Sequence, residues 1–348
     1  MTPSLMERQL LRARNGVAYY AGLSRPSVGQ SPRDLVWERE TARLWHYRSP
    51  GPTVSPPIVI VHSLISRSDI LDLLPGSSMI GFLVDEGFDV FMLDWAPAQP
   101  ADAANTLETY VDEYLPLALS SACTRAGVED VTLVGYCLGG VLTLLYAAAH
   151  EHPGVRNLVT LTTPCAFGEL GLMSRMFVEG RLDPGDVIDP TGLVPAAIMD
   201  SGFRLLKPTD ELTQSVNVWE KLWDTRWLTG FAAINRWARD QLPFPGAAFR
   251  EIVQTLIRDD ALATGVVPLG ARRVRLDQIA CAHLNVFCRD DELVPPAAAR
   301  PLADLVGSRD ASELVLESGH VGLVAGSAAR QAQPRIAEWI RARSDEHA

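Results

Sequence analysis

A chain of 348 residues, 47% of them hydrophobic, can bury a large core as one α/β domain or as a domain carrying an insertion. A net charge of −11 and a pI near 5.1, with no basic run, argue against nucleic acid as a partner. Cys123, Cys137, Cys165, Cys281 and Cys288 are widely spaced and form no CxxC pair, so neither a disulfide framework nor a metal site is expected and a reducing compartment fits. Met1 to Leu23 lacks the apolar core of a signal peptide, and no window approaches the ~20 apolar residues of a membrane span. The expectation is a soluble, cytoplasmic protein with no transmembrane segment.

In chain order, residues 1–40 are polar and proline-containing, and read as a partly helical, peripheral segment. Ala42 to Tyr47 reads as a first strand, and the Ser49-Pro50-Gly51-Pro52 and Pro56-Pro57 stretches as a loop. Ile58-Val59-Ile60-Val61 is a continuous apolar run, as in a strand covered on both faces. A helix ends at Val84 to Gly87, Phe88 to Leu93 is the next buried strand, and Thr106 to Ala126 is a long helix with Thr106 and Thr109 as candidate caps. Val131 to Val134 and Val155 to Leu161 are further strands, with a helix between them. This alternation predicts a mostly parallel sheet with helices on both faces. After Pro164 the rhythm breaks. Residues 165–275 carry Trp219, Trp223, Trp227 and Trp237 and read as a mostly helical cap inserted before the last strands. Alternation resumes with Leu284 to Phe287, Leu314 to Leu316 and a final helix, so the catalytic core is assigned to 41–164 and 276–348.

Gly135-Tyr136-Cys137-Leu138-Gly139 lies where a strand turns at once into a helix. Glycines tolerate the strained backbone and close packing of such a turn, and the residue at its apex is held out near the positive end of the helix. That is a nucleophile elbow with cysteine at its apex, at the place serine hydrolases give to serine. Asp290 and Asp291 follow the strand ending near Phe287, and His320 follows the next one between Gly319 and Val321-Gly322. Such acids at the carboxyl ends of parallel strands lie where ligands collect. The order nucleophile, acid, histidine matches an α/β-hydrolase arrangement. Spacing alone leaves Asp290 and Asp291 as rivals for the acid.

The Gly-Tyr-Cys-Leu-Gly-Gly box, Asp-Asp-Glu-Leu-Val-Pro-Pro and Gly-His-Val-Gly together resemble a polyhydroxyalkanoate synthase, of the short class III catalytic-subunit type. Phe91 to Trp95, Val155 to Thr160, Leu302 to Ser308 and Trp219 to Trp223 support the likeness, which runs from about residue 40 to the end. The resemblance implies an α/β-hydrolase fold, with Cys137 as nucleophile, His320 as base and Asp291 as the acid. It implies polymerisation of (R)-3-hydroxyacyl-CoA with release of CoA, and no cofactor beyond that thioester substrate. It also implies a homodimer or a complex with a non-catalytic partner subunit, and residence at the surface of polyester granules. Two positions depart from the family pattern. Glu292 stands where His is common, and Leu138 where class III chains often have Gln.

The chemistry fits these residues. A thiolate exchanges one thioester for another at little net cost, so cysteine suits acyl transfer when water is kept out. The oxyanion would be held by the backbone N–H of Leu138 and by one from the loop after Val61, with Ile65 the candidate. Cys165, Cys281 and Cys288 read as packing cysteines. His62 reads as structural, His150 and His152 as helix C-terminal cations, and the tryptophans as cap core or the wall of an apolar tunnel. A cysteine hydrolase of the dienelactone-hydrolase kind and an inactive granule- or partner-binding homologue are the alternatives.

Overall fold

The computed structural model describes residues 4–22, 26–51, 53–151, 153–206 and 218–346. Its centre is one sheet of β1 (Asp34–Arg39), β2 (Ala42–Tyr47), β3 (Val54–Val61), β4 (Phe88–Trp95), β5 (Val131–Tyr136), β6 (Val155–Leu161), β7 (Ala282–Cys288) and β8 (Ala311–Leu316). Their spatial order is β1-β2-β4-β3-β5-β6-β7-β8, and Asp345–Glu346 adds a short antiparallel pairing to the start of β3. From β4 through β8 every neighbouring pair is parallel, while β1 and β2 join as an antiparallel edge.

The strands read as unbroken apolar runs because both faces are covered. Along β3, Val59 and Val61 join one core and Ile58 and Ile60 the other, as the period of two in a strand requires. The first face is covered by a helix over 107–126 and by the helix Leu138–Ala149; the second by Met79–Asp85 and Ala329–Arg341. Thr106 caps the 107–126 helix by accepting from the Thr109 N–H at 3.3 Å, worth about 1 kcal/mol. The Thr109 hydroxyl reciprocates on the Thr106 N–H, and Tyr110–Tyr114 winds as a π turn within the run.

Two stretches add detail to the expected spans. The segment 1–40 is not wholly peripheral, because Asp34–Arg39 is the edge strand β1, hydrogen-bonded to β2. Within 165–275, the helices Leu172–Val178, Ala196–Leu206 and Thr225–Arg239 precede a different kind of packing. Ala248, Leu256, Leu262, Val267, Val274 and Leu276 join the core of the first sheet face beside Val141 and Leu145 of the elbow helix. The later part of that span is thus an outer layer of the sandwich. The sequence hid this because its short hairpin, Val266–Leu269 with Arg272–Arg275, pairs only with itself. His152 and residues 207–217 lie outside the described residues.

Candidate active site

Cys137 is the apex residue between β5 and the helix Leu138–Ala149, with φ 54° and ψ −122°. A non-glycine residue in that region costs on the order of 1–3 kcal/mol, so the surroundings must enforce it. Three glycines let them do so. A Cβ on Gly139 would lie 2.1 Å from the Val61 carbonyl oxygen, one on Gly135 2.4 Å from Gly140 Cα, and one on Gly140 1.8 Å from Thr163 Oγ1. The turn is clamped between the ends of β3 and β6, and the sulfur is held out half-buried while Tyr136 and Leu138 are buried.

His320 and Asp291 arrive from the loops after β8 and β7. His320 Nδ1 lies 2.8 Å from Asp291 Oδ2, and the Asp291 side chain has no solvent exposure. Its other oxygen accepts from the backbone N–H groups of Leu293 and Val294, both at 2.9 Å. The carboxylate is therefore fixed before it meets the ring. Asp290 is exposed, and its N–H donates to the Ser318 carbonyl at 3.0 Å. Burial and direct contact with His320 single out Asp291 from the pair. With Nδ1 on Asp291, the ring of His320 lies beside the side chain of Cys137. Burial alone would pull this imidazole down, but the facing charges of Asp291 and Cys137 and their hydrogen bonds outweigh it and hold it up at about 10.

The other predicted groups separate clearly. The Leu138 amide opens the elbow helix beside the sulfur, where the first N–H groups of a helix have no partner within it. The Ile65 N–H is engaged by Ser63 Oγ at 3.3 Å, and its carbonyl accepts from Leu242 at 2.8 Å. That second bond ties the loop after β3 to the strap following Thr225–Arg239, as do Trp237 Nε1 on the Arg67 carbonyl at 2.6 Å and the Arg67–Asp240 pair at 2.7 Å. Trp237 is thus a tether, whereas Trp219 is 64% exposed. Cys165 is fully buried, and burial pushes its thiol up to about 12; Cys288 and Cys281 are raised likewise, to about 12 and about 11. His150 closes its helix on the Tyr146 carbonyl at 2.9 Å and faces Asp112 at 3.4 Å. No group of metal-ligating side chains exists among the described residues.

Sequence reasoning missed the role of Tyr136. Its ring lies 5.4 Å from that of His320 and 5.6 Å from that of His62, filling the space between them. His62 is fully buried, and burial pulls it down to about 4, so it stays neutral at pH 7. A residue one step before the nucleophile must point to one face of the sheet, which is the only sequence signal for that contact.

A family profile described as alpha/beta hydrolase fold matches residues 56–326. The poly(3-hydroxyalkanoate) polymerase subunit PhaC of Allochromatium vinosum is 33% identical over 321 residues, 91% of this chain and 90% of that one. The protein of the same name from Haloferax mediterranei is 31% identical over 327 residues, 93% of this chain and 66% of that one. This chain belongs to the poly(3-hydroxyalkanoate) polymerase family, within the α/β-hydrolase superfamily. Among solved structures, an esterase from Exiguobacterium antarcticum superposes with a TM-score of 0.52 at 15% identity, covering 88% of this chain and 98% of that one, which bears on the fold alone. Members of the polymerase family are acyltransferases, and the Cys137 elbow lies inside the matched span. No described helix is long and apolar enough to cross a membrane.

Proposed function

We propose that the protein is a polyester synthase of the class III type, which polymerises (R)-3-hydroxyacyl-CoA through an acyl thioester on Cys137. The observation that carries the reading is the line Cys137–His320–Asp291, with the acid buried and held 2.8 Å from His320 Nδ1 while the ring lies beside Cys137. Coverage of 90% of the Allochromatium vinosum chain, named a polymerase subunit, supports reading this chain as a short subunit-type polymerase.

His320, oriented by Asp291, takes the thiol proton of Cys137, and the imidazolium so formed is charge-balanced by Asp291. The thiolate attacks the thioester carbonyl, a new C–S bond forms, and the C–S bond to CoA breaks. His320 gives its proton to the departing CoA sulfur. With the sulfur acylated and neutral, His320 loses one of the charges that hold its proton, so it becomes a base. It then takes the proton of the 3-hydroxyl of the next hydroxyacyl-CoA, whose oxygen attacks the enzyme-bound thioester. The ester C–O bond forms, the acyl C–S bond to Cys137 breaks, and the thiolate is freed to take the lengthened chain back from its CoA thioester, releasing CoA. The Leu138 amide would receive the developing oxyanion. No cofactor is needed, because the thioester supplies the driving force. The class III reading further supposes a non-catalytic partner subunit and cytoplasmic residence at the polyester surface.

The test is to supply (R)-3-hydroxybutyryl-CoA, with and without a cognate partner subunit, and follow free thiol and insoluble polymer. Thiol release with polymer is expected. Thiol release with only free hydroxyacid would make the protein a hydrolase, and no turnover with any acyl-CoA beside a partner would make it a non-catalytic homologue.

A further inference from the structure

A cleft of about 570 Å³ lies between the helices Met79–Asp85 and Ala329–Arg341, closed by the hairpin at 72–78 and by Gln30-Ser31. That volume is in the range of small-molecule sites. None of Cys137, Asp291 and His320 lines it, so it is separate from the acyl site. In its wall Asp72 is 4% exposed and makes no ion pair with a described residue. Its carboxylate is held by neutral donors alone, the Ser31 N–H at 3.0 Å and the Ser31 and Ser78 hydroxyls at 2.7 Å each. A buried anion without a cation draws positive charge toward it. Gln333 is 7% exposed, and its Nε2 donates to the Val324 carbonyl at 3.3 Å, which leaves Oε1 as a further acceptor in the wall. Pro334, inside its helix, has no N–H to give the Arg330 carbonyl four residues back. The two flanking helices also carry opposite charges that do not meet. Asp85 ends one helix and Arg330 lies in the first turn of the other; both are exposed, both line the cleft, and neither forms an ion pair with a described residue. Each has the wrong sign for its helix dipole, so neither is placed to stabilise its own helix.

We infer that this cleft is a binding site for a small zwitterion of amino-acid size, its carboxylate on Arg330 and its ammonium group facing Asp85, Asp72 and the Gln333 amide oxygen. An ammonium carries three N–H donors and no acceptor, which matches a wall of acceptors. A guanidinium offers a carboxylate two parallel N–H bonds. With two carboxylates to one guanidinium the cleft is net negative, so a plain anion is repelled and a molecule that brings a cation is favoured. Leu74, Phe82 and Pro334 supply apolar surface for the methylene chain between the charged ends.

The test is calorimetric titration of the full-length protein with glycine, γ-aminobutyrate and ε-aminocaproate, set against butylamine, butyrate and 3-hydroxybutyrate. At least one zwitterion is expected to bind with a Kd below about 1 mM and about 10-fold tighter than the amine or either anion. Arg330→Gln should bring that zwitterion down to the affinity of butylamine and leave butylamine itself unchanged, a loss of discrimination that a structural role for Arg330 would not produce. Asp85→Asn should weaken the zwitterion and butylamine alike, several-fold. Both side chains are exposed at helix ends, so the melting temperature should hold in both variants. No zwitterion with a Kd below about 1 mM, or affinities indifferent to Arg330→Gln, overturns the proposal. Binding of 3-hydroxybutyrate as tight as that of the best zwitterion also overturns it, in favour of a hydroxyacid site. The titration needs no turnover, so a chain inert toward acyl-CoA would leave this result intact.

Discussion

Cys137 and Cys165 stand beyond the carboxyl ends of neighbouring parallel strands, β5 and β6, yet their surroundings make them different chemical groups. Cys165 has no exposure, its sulfur faces the Leu262 carbonyl at 3.7 Å, and burial pushes its thiol up to about 12. Cys137 sits at positive φ on a helix N-terminus, half-buried, with the side chain of His320 against it. The difference is made by the backbone that presents the sulfur and the charge that meets it, not by the residue type.

The comparison can be broken most sharply by substitution. Cys137→Ala should reduce polymerisation at least about 10⁴-fold, measured as CoA release, because no neighbouring thiol can take its place. Asp291→Asn should follow at about 10²–10⁴-fold, since it removes the charge that keeps His320 oriented and protonated. If the Asp290→Asn variant proves the worse of the two, the assignment of the acid fails. Gly139→Ala should destabilise by about 3 kcal/mol in denaturant melts, because the added Cβ would meet the backbone carbonyl of Val61 at 2.1 Å and cannot push it aside. Cys165→Ala should leave turnover within a few-fold of wild type and cost about 1 kcal/mol of stability.

The pH dependence sharpens the same contrast. His320 is held up at about 10 in the folded protein against about 6.5 unfolded, so its imidazolium contributes stability that is full below about pH 6.5 and lost as pH rises toward 10. Stability measured from pH 6 to 10 should fall more steeply for wild type than for Asp291→Asn. Equal slopes would mean that the His320–Asp291 pair carries no such linkage.

The strand-to-helix turn at Cys137, the order of strands and the place of His320 after a strand end were legible because each is written locally. Glycines at 135, 139 and 140 report close approach, apolar runs such as Ile58–Val61 report two covered faces, and His320 follows a strand end directly. Spacing alone left Asp290 and Asp291 as rivals, and the amides of Leu293 and Val294 that hold the Asp291 carboxylate leave no mark on the sequence. Ile65 was a reasonable guess by position, but whether its N–H is free depends on the rotamer of Ser63. The layer formed by Ala248 to Leu276 escaped because its apolar residues pack on the elbow helix, a contact between parts of the chain about a hundred residues apart.

The most direct measurement is to locate the acyl group. The protein would be incubated with an acyl-CoA lacking the 3-hydroxyl, so that transfer stops after the first step, then digested and analysed by mass spectrometry. A thioester-linked acyl adduct on the peptide containing Cys137, retained in Cys165→Ala and absent in Cys137→Ala, is the predicted result. An adduct on Cys165 or elsewhere, or CoA release with no adduct at all, would contradict the account.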